Sequence, residues 1–146
     1  MRRFILMSFM MAVSAAGFAA DQLNGTTWKT IDDKTGKPRA IVKFSEQNGA
    51  LAGTVQNLVD KDATKVCANC SGSLKNRPVV GLTIVHGLKP VNGVKNSYDY
   101  GSILDPKTGK TYKLKGTLSN DGKVFNLRGY LGVSLLGRNQ TWQRVD

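Results

Sequence analysis

From Thr111 to Leu118 apolar and polar side chains alternate: Tyr112, Leu114 and Leu118 share one side, and Thr111, Lys113, Lys115 and Thr117 share the other. A period of two predicts a β-strand with one buried face. Asn120-Asp121-Gly122 supplies turn chemistry, and a second alternating stretch then sets Phe125 and Leu127 against Asn126 and Arg128. Two such strands cannot hide their apolar face alone, so the rest of the chain must complete the sheet. Upstream the pattern predicts strands at 25–31, with Trp28 as an apolar anchor, and at 39–45, where Ala40, Val42 and Phe44 share a face. Further strands are predicted at 51–58, 79–88 and 98–104, the last with Tyr98, Tyr100, Ser102 and Leu104 on one side. The glycine-rich run 129–138 extends the seventh strand and turns at Gly137, and 139–145 forms the eighth.

Most connections are tight turns. Residues 32–38 and 46–49 are polar and carry Gly36 and Gly49, which accept backbone angles closed to other residues. The run 60–78 is longer, as functional or mobile loops often are, and a short helix over 60–66 is one expectation there. Eight short strands joined in this way, with no long helical period, predict an all-β domain, an eight-stranded antiparallel up-and-down β-barrel. Two packed sheets would also bury the inward face, but closure removes exposed strand edges. Glycines at 53, 81, 101, 116 and 129 fit sharp bending of strands in a small barrel. The segment Asp33-Lys34-Thr35-Gly36-Lys37 is echoed at 105–110, which reads as two independent hairpin turns rather than a duplicated domain.

The first residues read differently. Arg2 and Arg3 precede an apolar run from Phe4 to Val13, and Gly17 and Ala19 suit cleavage after Ala19. This is the pattern of a secretory signal peptide over 1–19, leaving one domain over 20–146 with no transmembrane segment, expected in the periplasm or secreted. Removing Arg2 and Arg3 lowers the formal charge from +11 to +9. Such a surface attracts acidic polymers and anionic membrane faces. Export removes nucleic acid from the expected partners.

Candidate chemistry is sparse. Cys67 and Cys70, separated by two residues in an exported chain, are expected to form a disulfide that pins the long loop. A thioredoxin-type pair would need the first sulfur at a helix start, and no strand–helix pattern surrounds it. Ser71 stands where a c-type haem motif requires histidine. Two cysteines with the single histidine, His86, make a poor zinc site, so no metal or cofactor is expected. Asp99, Asp105 and Asp121 lie in or beside turns, where aspartate bonds the backbone, and no catalytic set is recognisable. The inward faces say more. Val42, Phe44, Val55, Tyr100, Leu114, Phe125 and Leu127 are expected to line the barrel interior. Phe44, Tyr98, Tyr100, Tyr112, Phe125 and His86 are the candidate ligand contacts, with the tyrosine hydroxyls orienting a polar head. Lys89, Lys95, Lys113 or Arg128 would meet an anionic end near a mouth or outer rim. A barrel of eight strands can hold one small ligand or fill itself with side chains, and both remain open at this point.

Several marks stand in a characteristic order: Trp28, then Asp33-Lys34-Thr35-Gly36-Lys37-Pro38, Cys67-Ala68-Asn69-Cys70, and Pro78-Val79-Val80-Gly81-Leu82. Gly101-Ser102-Ile103-Leu104-Asp105-Pro106, Gly109-Lys110-Thr111-Tyr112, Arg128-Gly129-Tyr130-Leu131-Gly132 and Leu136-Gly137-Arg138 to Arg144 complete them. Together they resemble a bacterial exported family, domain of unknown function 2147, across essentially the whole mature chain. That family is similar in fold to the lipocalins, whose barrels often carry a small apolar ligand. The resemblance implies that Trp28 and Arg144 meet at the closed end, a cation over an aromatic face. The chain departs from the lipocalin pattern in that Gly25 lies three residues before Trp28 rather than two, and no helix follows the last strand. The sequence thus predicts an exported, non-enzymatic, lipocalin-like barrel that binds a small apolar or anionic amphipathic ligand. The alternative is a basic module for acidic envelope polymers or membrane headgroups.

Overall fold

The alternating stretches become strands β1 (Thr27–Ile31), β2 (Pro38–Gln47), β3 (Ala50–Leu58), β4 (Thr83–Pro90), β5 (Ser97–Leu104), β6 (Thr111–Leu118), β7 (Val124–Tyr130) and β8 (Gly137–Arg144). The structure is a computed structural model that describes residues 21–133, 135 and 137–146. The expected signal peptide, its expected cleavage point and Leu136 lie outside the described residues. Each strand pairs antiparallel with the next, and β1 pairs with β8 through Trp28 opposite Arg144, Lys29 opposite Gln143 and Thr30 opposite Trp142. The sheet is therefore one closed barrel with no unpaired edge, and the two-sheet alternative does not arise.

Two local expectations change. Residues 60–66 form a turn rather than a helix: the Ala63 amide donates to the Asp60 carbonyl, and Val66 then bridges to Pro78. The helical turn in this loop is instead a short 3-10 segment, Gly72–Leu74. Strand β4 begins at Thr83, because Gly81 takes a φ of 91° and Leu82 closes a turn onto Val79.

Up-and-down order sends the β2–β3, β4–β5 and β6–β7 hairpins to one end of the barrel and the other four connections to the opposite end. The first end is packed solid. Phe125 is its hub, with ring centroids 5.8 Å from Trp28, 6.0 Å from Phe44 and 5.6 Å from Tyr98. Aromatic pairs at such spacing add roughly 0.5–1.5 kcal/mol each beyond the area they bury. Inward-facing glycines make the space. A Cβ on Gly116 would lie 2.7 Å from both Phe125 and Leu127, and one on Gly53 would press on Val85 and Val42 at 3.0–3.2 Å. The segment before β1 closes the end: Leu23 is buried under the barrel, the Gly25 amide donates to the Phe44 carbonyl, and the Tyr98 hydroxyl donates to Asp21 Oδ1 at 2.9 Å. Burial holds that hydroxyl far above its ordinary pKa.

Candidate functional site

The opposite half of the barrel is hollow. A cavity of about 320 Å³ opens between the β1–β2, β3–β4, β5–β6 and β7–β8 connections. Trp142 lies where the two halves meet, stacked on Phe44 at 5.9 Å below and lining the cavity above. Val55, Leu114 and Leu127 continue the cavity lining, with Leu58, Ile84, Ile103 and Tyr112 also around it. The space exists because small residues face it. Ala40 and Gly129 both line it, and a Cβ on Gly129 would meet nothing nearer than 3.7 Å. The volume is at the lower end of the range, roughly 300–1,000 Å³, that holds small ligands.

The rim is polar and mostly basic. Arg39, Lys107 and Arg138 border the cavity with Asp105. Arg39 pairs with Asp32 at 3.0 Å, and Arg138 holds both carboxylate oxygens of Asp33 at 2.7–2.8 Å, joining the β1–β2 turn to β8. Asp32 is held below the usual carboxylate range, first by the Thr35 and Lys34 amides and then by Arg39. The Asp33 carboxylate raises Arg138 further, so its charge is permanent. Lys107 has no carboxylate partner among the described residues.

Two rim turns share one construction. In the β1–β2 turn, Asp32 Oδ1 accepts the Lys34 and Thr35 amides, the Gly36 amide donates to the Asp32 carbonyl, and the Asp32 amide donates to the Lys37 carbonyl. In the β5–β6 turn, Asp105 Oδ1 accepts the Lys107 amide, Gly109 donates to the Asp105 carbonyl, and Asp105 donates to the Lys110 carbonyl. Both follow the pattern Asp-x-Lys-Thr-Gly-Lys, with the glycine at φ 69° and 74°. The echo in the sequence is thus one turn built twice, half-way round the barrel from itself.

Cys67 and Cys70 form the expected disulfide, with Cα atoms 5.3 Å apart and both side chains buried. It seats the long loop on the β5–β6 turn. The Cys67 sulfur lies 3.7 Å from the Pro106 carbonyl oxygen, a packing contact since a disulfide sulfur has no proton to donate. Asn69 Nδ2 donates to the Lys107 carbonyl at 2.9 Å. Gly109 is required there, because any Cβ would collide with the Asn69 carbonyl.

The candidate ligand residues divide by half. Tyr112 lines the cavity. Phe44, Tyr98 and Phe125 belong to the packed end and line no part of it. Tyr100 and His86 stand outside the barrel, Tyr100 with 69% of its surface exposed, and the His86 ring reaches only the Thr83 carbonyl at 3.2 Å. The cause is a paired irregularity: Gly87 and Tyr100, both at φ 67°, face each other across β4 and β5. Burial then falls on Val85 and Leu88, and on Tyr98 and Gly101, three apart instead of two. Simple alternation places Tyr100 inside, and the phase shift turns it out to solvent. Val42, Phe44, Val55, Leu114, Phe125 and Leu127 are buried as expected. Of the cations expected near a mouth, Lys89 and Lys95 belong to the packed end, and Lys113 and Arg128 lie along β6 and β7. Trp28 and Arg144 are register partners at the packed end, where the Trp28 indole donates to Thr26 Oγ1 and the Arg144 guanidinium engages Asp146 at 2.9 Å. Arg39, Arg138 and Trp142 escaped the sequence reading; the lone large apolar residue among Gln140, Thr141, Gln143 and Arg144 was the available signal for Trp142.

No group of three or more His, Cys, Asp or Glu side chains that could hold a metal occurs among the described residues. No helix among them is long and apolar enough to cross a membrane. Among solved structures the chain is similar to protein HP1028 from Helicobacter pylori, described as belonging to the lipocalin family. The TM-score is 0.73 at 25% identity, over 87% of this chain and 85% of that one. No curated relative matches the chain. The barrel is lipocalin-like, and this fold with its cavity is consistent with a non-enzymatic ligand-binding protein. Residues 26–144 match the model of a bacterial family, in keeping with a periplasmic or secreted protein: the chain belongs to the family described as uncharacterized protein conserved in bacteria, DUF2147.

Proposed function

We propose that the protein binds a small anionic amphiphile, its apolar part in the cavity and its charged end at the rim. The observation that carries this is one apolar chamber, floored by Trp142 and lined by Leu114 and Leu127, whose border holds Arg39, Lys107 and Arg138. Each methylene taken from water into such a chamber contributes about 0.8 kcal/mol, so the roughly 8 kcal/mol of micromolar affinity corresponds to a tail of about ten methylenes, fewer where the charged head adds to it. The guanidinium of Arg39 spends one donor on Asp32 and keeps others for a carboxylate or phosphate. Tyr112, beside this border, supplies a hydroxyl for the head. Native mass spectrometry of gently purified protein, followed by titration with fatty acids of graded length, tests the reading. Affinity should rise with tail length and then stop, and Gly129→Leu should abolish it. Failure of every amphiphile to bind would overturn it.

A second reading is favoured by the mature charge of +9, which remains after Arg2 and Arg3 are discounted from +11. It makes the exterior a docking surface for acidic envelope polymers or membrane headgroups. Association that persists unchanged as salt is raised would reject it.

A further inference from the structure

Basic charge is not spread evenly over the barrel. Across residues 32–39, 59–82, 105–110 and 137–138, around the open end, ten basic side chains stand against five acidic ones. Across 21–26, 43–49, 89–99, 119–123 and 144–146, around the packed end, five stand against five. The matched turns set Lys34 and Lys37 on one side of the mouth and Lys107 and Lys110 on the other, all exposed. Between them, just past β7, Leu131, Val133 and Leu135 are 56%, 59% and 86% exposed. Beside them, Arg128 donates to the Leu135 carbonyl at 3.0 Å and to Asn139 Oδ1 at 2.8 Å. Leu131 also lines the cavity, so this apolar projection is continuous with the chamber wall.

We propose that the open end docks on an anionic phospholipid bilayer, with Leu131, Val133 and Leu135 entering the interfacial layer and the lysines of the two matched turns meeting headgroup phosphates. Apolar side chains ringed by cations match a surface that is apolar inside and negative outside. An acidic polymer in solution would use the lysines and leave the apolar residues in water. The proposal rests on the second reading above and narrows it to a lipid surface in one orientation. Docked in this way, the mouth faces the bilayer, and an amphiphile passes between membrane and cavity without crossing water.

The test is co-sedimentation of the mature chain with vesicles of phosphatidylglycerol and phosphatidylethanolamine, against vesicles of phosphatidylcholine and against soluble dextran sulfate. Binding should require phosphatidylglycerol and weaken steeply with salt. The double variant Lys34→Glu/Lys107→Glu should lose about thirtyfold or more in affinity, since each cation near an anionic surface is worth roughly a factor of five. Val133→Ser with Leu135→Ser should weaken vesicle binding about tenfold or more and leave binding to dextran sulfate unchanged. Lys95→Glu/Lys123→Glu, at the packed end, should change vesicle binding at most a few-fold. Circular dichroism establishes that each variant is folded. Binding to dextran sulfate alone would sink the membrane docking and leave the polymer reading standing. Vesicle binding indifferent to the serine pair, or equally sensitive to the packed-end pair, would also overturn the proposal. Gly129→Leu separates the two sites: it should block amphiphile uptake and leave vesicle binding intact.

Discussion

The two halves of this barrel are made from the same eight strands and differ in what fills them. In the packed half, Gly116 has no room for a Cβ, because Phe125 and Leu127 already occupy that volume. In the hollow half, Gly129 lines the cavity, and a Cβ there would make only ordinary contacts, the nearest at 3.7 Å. Glycine makes way for aromatic rings in one place and leaves a void in the other. Stability and binding are thereby separated along the barrel axis. The aromatic cluster supplies cohesion, so the cavity can stay empty without loosening the fold.

Four measurements bear on that contrast, in descending size of effect. Phe125→Ala removes the hub of the cluster and should cost about 3–5 kcal/mol in urea unfolding. Tyr112→Ala, on the hollow side, should cost far less, and equal losses would dissolve the distinction. Gly116→Ala should destabilise by about 1–3 kcal/mol through overpacking. The acid limb gives a smaller effect at both ends. Asp32, on the rim, and Asp121, in the β6–β7 turn, are both held below their ordinary value of 3.8, Asp32 first by the Thr35 amide and Asp121 first by the Ser119 hydroxyl. A lowered folded value means that each contributes stability above pH 3.8, which is lost as pH falls through that lower value. Asp32→Asn and Asp121→Asn should each flatten the stability curve in that window and nowhere above it. Gly129→Leu should shift unfolding by less than about 1 kcal/mol, since it fills space rather than creating a clash. A large loss there would show that the upper chamber is as tightly constrained as the lower core.

The sequence carried the barrel because its strands alternate cleanly where they are regular. Val42 and Phe44 in β2, Leu114 in β6, and Phe125 and Leu127 in β7 follow the period of two and are buried. It failed at Tyr100 because a residue at positive φ shifts the phase, and β-branched or aromatic identity gives no warning of that. The cavity was illegible for a related reason. Gly116 and Gly129 look alike in a string of letters, and only the side chains across the barrel decide which is filled. The rim cations were hidden because the carboxylate that orients Arg138 lies at Asp33, far away in the chain. The repeated Asp-x-Lys-Thr-Gly-Lys turn was visible, but its placement on opposite sides of one mouth follows only from closure of the ring.

The described residues begin and end at the same pole. Asp21 is tied to Tyr98, and the Val145 amide donates to the Thr27 carbonyl, so both positions lie beneath the aromatic cluster. A tether or solid support joined at Asp21 or Asp146 therefore leaves the aperture pointing outward. Joining Asp21 to Asp146 with a short linker and cutting the chain at an exposed tip would yield a permuted barrel with its chamber unchanged.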